Sequence, residues 1–377
     1  MTSIGRGCGK LYLTGEFAVM STLGAAVIAG VNRYVSATAT LVSTDSDETT
    51  GIVHSAYYDE QGRRLSGGVL EGEQDIVAHA ISLVYRLGVQ RGARWARYAV
   101  DIDIVSGLDD KASGQKFGLG SSGAVAVAVV RAVASEIGLA LSDLEVFKLA
   151  FLATIASGAA GSGGDIACSS HGGVVFYRRP EPDALVELSA LAATDPAGAL
   201  ARKWPNLQIE SRADLSELSL LVGWTGTPVK TDSQLAKAGP VDEVRTADGG
   251  RFVTAVASLS EKLWRGLAEH DRVACMEALW ENRRLLQDYE SQRGVCIETD
   301  RLERLADIAN AHGAAGKSSG SGGGDCGIAV LPSGGDAQTI LRQWASAGIR
   351  PLDLELAVDF KTQVFNKQNS RITRKGL

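Results

Sequence analysis

Glycine is concentrated at three places in this chain, and these clusters constrain its fold more than any other sequence feature. The 377 residues include 44 glycines but only 8 prolines, and the clusters occupy residues 118–123, 157–164 and 313–324. Glycine permits backbone conformations that other residues avoid, and it lets the backbone approach a ligand closely. Clusters of this kind therefore predict loops that surround a ligand.

Between these loops, the chain alternates between strand-like and helix-like patterns. Apolar alternation or β-branched content predicts strands over residues 11–19, 27–42, 99–105, 173–178, 218–224, 327–331 and 352–360. Helical length and spacing predict helices over residues 121–139, 142–157, 244–269, 273–291, 300–312 and 336–347, the second of which starts with a capping box. Residues 179–214 have the composition of a meandering connection. Mixed runs of strands and helices predict an α+β fold instead of a regular βαβ repeat.

The composition is that of a globular protein with two domains. Domains usually hold about 100 to 200 residues, so a chain of 377 residues predicts two of them. The formal net charge is −6 and no Lys/Arg tract stands out, which argues against a nucleic-acid-binding surface. The longest apolar stretches, 25–31 and 124–130, fall far short of the about 20 residues that span a bilayer, and the first residues lack the apolar core of a signal peptide. We therefore expect a cytoplasmic protein that binds neither nucleic acid nor a membrane.

The first glycine cluster has the composition of an anion-binding loop. It leads directly into a helix of small residues, so backbone N–H groups and the positive end of the helix dipole converge on one point. The residues predicted to bind phosphate there are Gly118, Leu119, Gly120, Ser121, Ser122 and Gly123. The segment also matches the G-x-G-x-x-G pattern of dinucleotide-binding proteins, but it follows a polar loop instead of a buried strand. A purely structural glycine turn is the remaining alternative.

The other two clusters invite familiar interpretations that their surroundings weaken. The Gly-Lys-Ser at 316–318 matches the end of a Walker A motif, but the required first glycine is Ala311 and the loop follows a helix. A flexible linker is the other alternative, although an apolar strand follows at 328–330. The cluster at 157–164 leads straight into Asp165, an acidic residue that either acts in a site or only caps a turn.

Taken in order, these segments resemble the motifs of the GHMP kinases, the superfamily named for galactokinase, homoserine kinase, mevalonate kinase and phosphomevalonate kinase. Residues 7–19 are similar to its first motif, residues 116–124 to its phosphate-binding second motif, and residues 317–326 to its third motif. The similarity extends over nearly the whole chain. It implies an N-terminal domain like domain 2 of ribosomal protein S5 over residues 1–205, a ferredoxin-like C-terminal domain over residues 206–377, and an active site in the cleft between them.

The resemblance implies an ATP-dependent small-molecule kinase. Three segments are similar to family members that phosphorylate (R)-5-phosphomevalonate to 5-diphosphomevalonate with ATP and Mg²⁺: Lys116-Phe117 before Gly-Leu-Gly-Ser-Ser-Gly, residues 161–165, and residues 317–326. Mevalonate kinases carry a metal-binding Glu eleven residues before the catalytic Asp, where this chain has Thr154, so mevalonate is the less favoured acceptor. Another GHMP small-molecule kinase, the related ATP-dependent mevalonate-diphosphate decarboxylase and a ligand-binding regulator without turnover remain alternatives.

The resemblance also implies roles for individual residues. Lys10 and Asp165 are implied to be catalytic, with Lys10 bridging the donor and acceptor phosphates. Lys116 joins the 118–123 loop in binding ATP, and Ser122 is the implied Mg²⁺ ligand. The residues implied to bind the acceptor are Lys10, Ser162, Gly163, Asp165, Lys237, Ser319 and Ser321. We expect a monomer or a homodimer whose partner is the small-molecule substrate phosphomevalonate.

Overall fold

Two β-sheets form the framework of the part of the chain that the structure describes. The computed structural model of the protein describes residues 2–42, 50–159, 161–227, 234, 238–247 and 249–365. The strands of the nine-stranded first sheet are β1 (Thr2–Thr14), β2 (Ala26–Leu41), β3 (Thr50–Ser55), β4 (Arg63–Ser66), β5 (Val69–Leu70), β6 (Val100–Ser106), β7 (Val174–Arg178), β8 (Gln208–Arg212) and β13 (Thr362–Phe365). They run in the order β13-β1-β2-β6-β3-β4-β5, and β7 pairs with both β2 and β8.

The helix over Ser121–Glu136 lies directly against β1 and β2, two central strands of this sheet. The helices of this half are α1 (Ile76–Gln90), α2 (Ser121–Glu136), α3 (Asp143–Ala156), α4 (Gly164–His171), α5 (Pro182–Ala192) and α6 (Pro196–Ala201). A Cβ on Gly7 of β1 would collide with the backbone of Ala124 in α2, so glycine is what allows this close approach. Because β1 also carries Lys10, the packing places the start of α2 beside that lysine. None of the helices in the described residues has the length and apolar content needed to cross a membrane.

The second sheet has a ferredoxin-like arrangement. It consists of β9 (Leu218–Trp224), β10 (Ala315–Ser318), β11 (Cys326–Pro332) and β12 (Arg350–Leu352), with the helices α7 (Phe252–Glu269), α8 (Arg272–Arg293), α9 (Asp300–Ala311) and α10 (Ala337–Ser346). The strands are antiparallel in the order β10-β11-β9-β12, which is the β-α-β-β-α-β arrangement of that fold. Trp344 of α10 packs with Leu305 and Ala329 in the core beneath the sheet. The predicted α+β fold is therefore confirmed.

Several predicted elements have different bounds in the structure. The strand predicted over 352–360 is wrong: β12 ends at Leu352 and β13 starts at Thr362. Between them Leu356 forms an isolated antiparallel bridge with Val31, and Asp359 has a positive φ of 52°, which an extended strand does not accommodate. The loop predicted over 313–324 contains β10, whose residues pair with β11. The connection predicted over 179–214 contains α5, α6 and β8, and the sequence patterns predicted neither α1 nor β3 to β5. The predicted capping box at the start of α3 is confirmed.

The first sheet takes strands from both halves of the chain. β8 pairs with β7, and β13 pairs with β1 in the register Thr2 to Phe365 through Gly5 to Thr362. Both β8 and β13 lie beyond residue 205, where the sequence predicts the domain boundary. That boundary stays a prediction, and the sheet extends across it.

Candidate active site

A cavity of about 380 Å³ lies where the three glycine clusters meet. Its lining comes from β1 and the turn after it, from residues 116–123, from α3 and the start of α4, and from Gly320, Ser321 and Asp325. A larger surface hollow of about 1170 Å³ is lined instead by residues between 42 and 101. The smaller cavity is the candidate site, because it collects the residues that the sequence singles out.

The second-motif loop turns directly into the N-terminus of α2. Gly120 precedes the helix with a φ of 79°, a left-handed conformation that favours glycine. Leu119 is buried, and its carbonyl accepts a hydrogen bond from the backbone N–H of Lys10 at 2.9 Å. Gly118 and residues 121–123 line the cavity. Because the first N–H groups of a helix have no partner within it, this helix start can bind an anion.

The Lys10 side chain lies between the second and third motifs. Its Nζ donates to the carbonyl of Gly118 at 3.2 Å and lies 5.5 Å from the ring centre of Tyr12. On the other side, a Cβ at Gly320 would lie 3.4 Å from the same Nζ. The ammonium group is therefore at the junction of the two loops, where it can attract two anionic groups at once.

Asp165 lies in the first turn of α4 and shares the cavity with Lys10. The backbone N–H groups of Gly123, Ile166 and Asp165 itself face its carboxylate and stabilise the charged form. Burial raises the pKa of Asp165, while the charge of Lys10 and these N–H donors oppose the rise. One carboxylate thus joins the starts of α2 and α4.

Ser162 and Gly163 line the cavity at the entry to α4. The Ser162 Oγ accepts the N–H of Gly164 at 3.2 Å and lies 3.4 Å from the hydroxyl of Tyr12. The hydroxyl of Tyr177 donates to the Ser162 carbonyl at 2.6 Å. These bonds fix the backbone where the chain enters the helix that carries Asp165.

The remaining predicted site residues differ in their access to the cavity. Ser321 and Lys116 line it. Ser319 is buried, and its hydroxyl donates to the carbonyl of Tyr12 at 3.1 Å, so this side chain attaches the loop between β10 and β11 (residues 319–325, the third loop) to β1. Lys237 lies outside the residues that the structure describes.

Reasoning from the sequence missed several lining residues, among them Tyr12, Glu16, Phe17 and Asp325. Phe17 has a positive φ of 57°, and its ring stacks on Tyr289 with the ring centres 4.7 Å apart. All but Asp325 belong to the first motif, so membership of that motif was the signal that could have identified them.

Thr154 lines the cavity but offers no carboxylate. Its Oγ1 donates to the carbonyl of Ala150 at 2.9 Å within α3. Within the described part of the chain, no group of three or more His, Cys, Asp or Glu side chains could hold a metal ion. Oxygen donors at the cavity include the hydroxyl of Ser122 and the carboxylate of Asp165.

Family models match the chain in two regions. The model for the GHMP kinases N terminal domain matches residues 76–173, and the model for the GHMP kinases C terminal region matches residues 267–350. The first match includes residues 118–123 (the phosphate loop), Ser162 and Asp165. The second includes β10 and the third loop.

Individual proteins match over nearly the full length. The phosphomevalonate kinase of Streptomyces sp. (strain CL190) is 34% identical over 367 residues, which cover 93% of this chain and 96% of that protein. The crystal structure of a Lin0012 protein from Listeria innocua has a TM-score of 0.85 and 31% identity, covering 96% of this chain and 99% of that chain. Streptococcus pneumoniae phosphomevalonate kinase in complex with phosphomevalonate and AMPPNP has a TM-score of 0.76 and 25% identity, covering 94% of this chain and 99% of that chain. Similarity of this extent, together with both family regions, makes the protein a member of the GHMP kinase family.

Proposed function

We propose that this protein transfers the γ-phosphoryl group of ATP to the phosphate of (R)-5-phosphomevalonate, giving 5-diphosphomevalonate and ADP. The observation that carries the proposal is the place of Lys10, whose ammonium group lies between the phosphate loop and the third loop in one cavity with Asp165. The full-length similarity to two phosphomevalonate kinases, one of them in complex with phosphomevalonate and AMPPNP, supports this choice of substrates.

In this proposal, ATP binds with its phosphates at the start of α2. The loop N–H groups and the positive end of the helix dipole attract the phosphate oxygens. The hydroxyls of Ser121 and Ser122 add hydrogen-bond donors in the same part of the cavity. Lys116, which is exposed and lines the cavity, adds a positive charge on this side.

The residues present fit a Mg²⁺ ion that is held mainly by ATP. Mg²⁺ prefers oxygen ligands, keeps several waters and usually takes few protein groups besides substrate phosphates. Ser122 would supply a hydroxyl to such an ion, and Asp165 offers a carboxylate in the same cavity. The chemistry that the ion supplies when bound is neutralisation of charge on the phosphates. An ion held in this way needs no cluster of acidic side chains.

Lys10 is assigned the main part in stabilising charge. The transition state of phosphoryl transfer spreads negative charge over the moving group, so positioning and charge neutralisation supply most of the catalysis. Two anionic substrates also repel each other more strongly as they approach. A single ammonium group placed between the two loops offsets both effects, because it attracts the γ-phosphate on one side and the acceptor phosphate on the other.

A phosphate acceptor also determines the role of Asp165. The second pKa of a phosphate monoester is about 6, so the acceptor is mostly a dianion at neutral pH and needs no base to remove a proton. Asp165 then orients Lys10 and the acceptor instead of taking a proton. The N–H groups of Gly123 and Ile166 support that role, because they stabilise the charged form of the carboxylate.

Mevalonate is the main rival acceptor. Its reacting group is a hydroxyl, whose proton must be removed during transfer. Mevalonate kinases are expected to carry a metal-binding carboxylate where this chain has Thr154, and the hydroxyl of Thr154 is bonded within its own helix. The lining of the cavity therefore favours the phosphorylated acceptor.

A side-by-side assay tests the proposal. ADP release should be measured with phosphomevalonate, mevalonate and homoserine, and the product identified by phosphorus NMR. We expect kcat/KM for phosphomevalonate to exceed the other two values by at least about a hundredfold, because a site built for a polar group rejects analogues that lack it. A higher value for mevalonate would overturn the substrate assignment. Carbon dioxide release from mevalonate diphosphate would indicate the decarboxylase, and ligand binding without ADP release would indicate a regulator. A monomeric or homodimeric state and a cytoplasmic location stay predictions.

A further inference from the structure

The Gly-Lys-Ser at 316–318 does not face the phosphate loop, although its sequence invites that interpretation. Lys317 lies on β10 and is completely buried. Its Nζ forms an ion pair with the carboxylate of Glu16 and donates to the carbonyl of Ser318 at 2.7 Å. Glu16 is also buried, and its second oxygen accepts a hydrogen bond from Nδ2 of Asn282 at 3.1 Å. Both oxygens of Glu16 are therefore engaged by protein donors.

This ion pair and one hydrogen bond attach the start of the third loop to the first motif. Side chains two residues apart on an extended chain leave on the same face, and Lys317 and Ser319 have that spacing. Lys317 contacts Glu16, and the hydroxyl of Ser319 donates to the carbonyl of Tyr12. The third loop thus begins from a segment that is fixed to the end of β1.

The far end of the loop is fixed as well. The thiol of Cys326 donates to the carbonyl of Phe117 at 3.1 Å, and the backbone N–H of Ser319 donates to the carbonyl of Cys326 at 3.1 Å. Gly320 and Ser321 then project into the cavity from a closed loop whose two ends touch the first and second motifs.

The placement of this loop determines the room beside Lys10. Gly320 lies so near that a Cβ on it would be 3.4 Å from Nζ of Lys10. The acceptor phosphate, in the function proposed above, occupies the part of the cavity that this ammonium group and Ser321 of the third loop both border. A small shift of the loop would change the distance between them, and catalysis is sensitive to misplacement of this size.

We propose that Glu16 and Lys317 form a positioning pair, which holds the third loop at the distance from Lys10 that admits the acceptor phosphate. The proposal rests on the proposed function. A buried ion pair is not needed for stability alone, since apolar side chains of similar volume often stabilise a core equally well. Its directional bonds instead fix one arrangement of the loop against the first motif.

Four variants test the pair. Glu16→Gln and Lys317→Met each leave one buried charge without its partner. The double variant removes both charges. Glu16→Asp keeps both charges but shortens the connection by one methylene. Lys262→Met with Glu277→Gln makes the same exchange in a surface pair, whose side chains are 41% and 55% exposed. Tm, and the KM for ATP and for phosphomevalonate, should be measured for each variant and for the unaltered protein, whose turnover first tests the proposed function by itself.

We expect each single neutralising variant to lose thermal stability and the double variant to regain most of it, because an uncompensated buried charge is what destabilises. The KM for phosphomevalonate should stay raised about tenfold in the double variant and in Glu16→Asp, while the KM for ATP changes less than about twofold. The surface pair should behave like the unaltered protein. Recovery of a normal acceptor KM along with Tm in the double variant would show a merely structural pair and overturn the proposal. If the double variant does not fold, an unchanged acceptor KM in Glu16→Asp overturns it equally.

Discussion

The carboxylate of Asp165 leaves no room for a side chain at Gly123, since a Cβ there would lie 2.6 Å from Oδ2 of Asp165. The backbone N–H of Gly123 also faces this carboxylate and stabilises its charged form. The starts of α2 and α4 therefore meet at one glycine and one acid, and the first glycine cluster and Asp165 are parts of a single arrangement.

Gly123→Ala should lower kcat without lowering Tm. The added methyl group must displace the carboxylate of Asp165, and a displacement of about 1 Å in a site can lower the rate about a hundredfold. Alanine is a better helix former than glycine by about 1 kcal/mol, so Tm should not fall. Gly161→Ala is the matched control, because a Cβ there meets no atom within 4 Å. A kcat for Gly123→Ala that equals the control value would contradict the arrangement.

Lys10→Met should lower kcat more than Asp165→Asn does. Loss of the ammonium group removes the charge stabilisation, which we expect to cost about a thousandfold in kcat. Asp165→Asn removes an orienting partner of Lys10 but no base, because the acceptor is already ionised. Both variants should be compared at saturating ATP and acceptor after circular dichroism confirms folding. The reverse order, with loss of an ionisation from the pH–rate profile of Asp165→Asn, would identify Asp165 as a base and the acceptor group as a hydroxyl.

Ser122→Ala should weaken the use of Mg²⁺-ATP without affecting the fold. Removal of one oxygen ligand should raise the apparent KM for ATP about fivefold at limiting Mg²⁺ and less at saturating Mg²⁺. Ser121→Ala is the matched comparison, since its hydroxyl lines the same cavity but is not assigned to the metal. Kinetics of Ser122→Ala that do not depend on the Mg²⁺ concentration would rule out this ligand assignment.

Ser321→Leu should affect the acceptor more than ATP. Ser321 lines the cavity on the side of the third loop, so a larger apolar side chain should obstruct the acceptor and raise its KM about tenfold. Ser333→Leu, in an exposed turn after β11, is the control for the substitution itself. Equal increases in both KM values would point to general disruption of the loop.

Ionisation of Asp165 should lower the free energy of unfolding as the pH rises. Burial raises the pKa of Asp165 above its ordinary value of 3.8, so the folded chain holds this proton at a pH where the unfolded chain has lost it. The stabilisation is complete below about pH 4 and is lost as the pH rises through the folded-state pKa. Urea unfolding from about pH 4 to 8 should therefore show Asp165→Asn gaining stability relative to the unaltered protein. Exposed Asp103→Asn is the control, and parallel curves for all three proteins would exclude the effect.

Local sequence determined which of these features could be predicted. The 118–123 loop and Asp165 were recognisable because glycine clusters and the residues that follow them lie close together in the chain. The contact of Glu16 with Lys317 joins residues 301 positions apart, and no periodicity or spacing signals such a pair. Ser319 was predicted to face the acceptor on its place in a motif, but its hydroxyl is bonded to Tyr12.

Helices and strands were predictable where one pattern of apolar residues continued without interruption. The helix that begins at Ser121 follows from a long run of small and apolar residues after the glycine loop, and the structure forms it over Ser121–Glu136. The apolar content of residues 352–360 could not reveal that strand pairing stops after Leu352, because pairing depends on which distant backbone lies alongside, and Leu356 forms only an isolated bridge with Val31. Packing that involves distant segments, as at β13, also has no local signature.

Because β13 at residues 362–365 pairs with β1, the two halves of the chain are connected through one sheet. A protease that cut the connection near residue 205 would produce two fragments still joined through a shared sheet, so cleavage there need not release either one. The first half produced without that strand would expose the backbone N–H and C=O groups along β1. Such an open edge is a template for pairing with another chain, so an isolated first half is prone to aggregate.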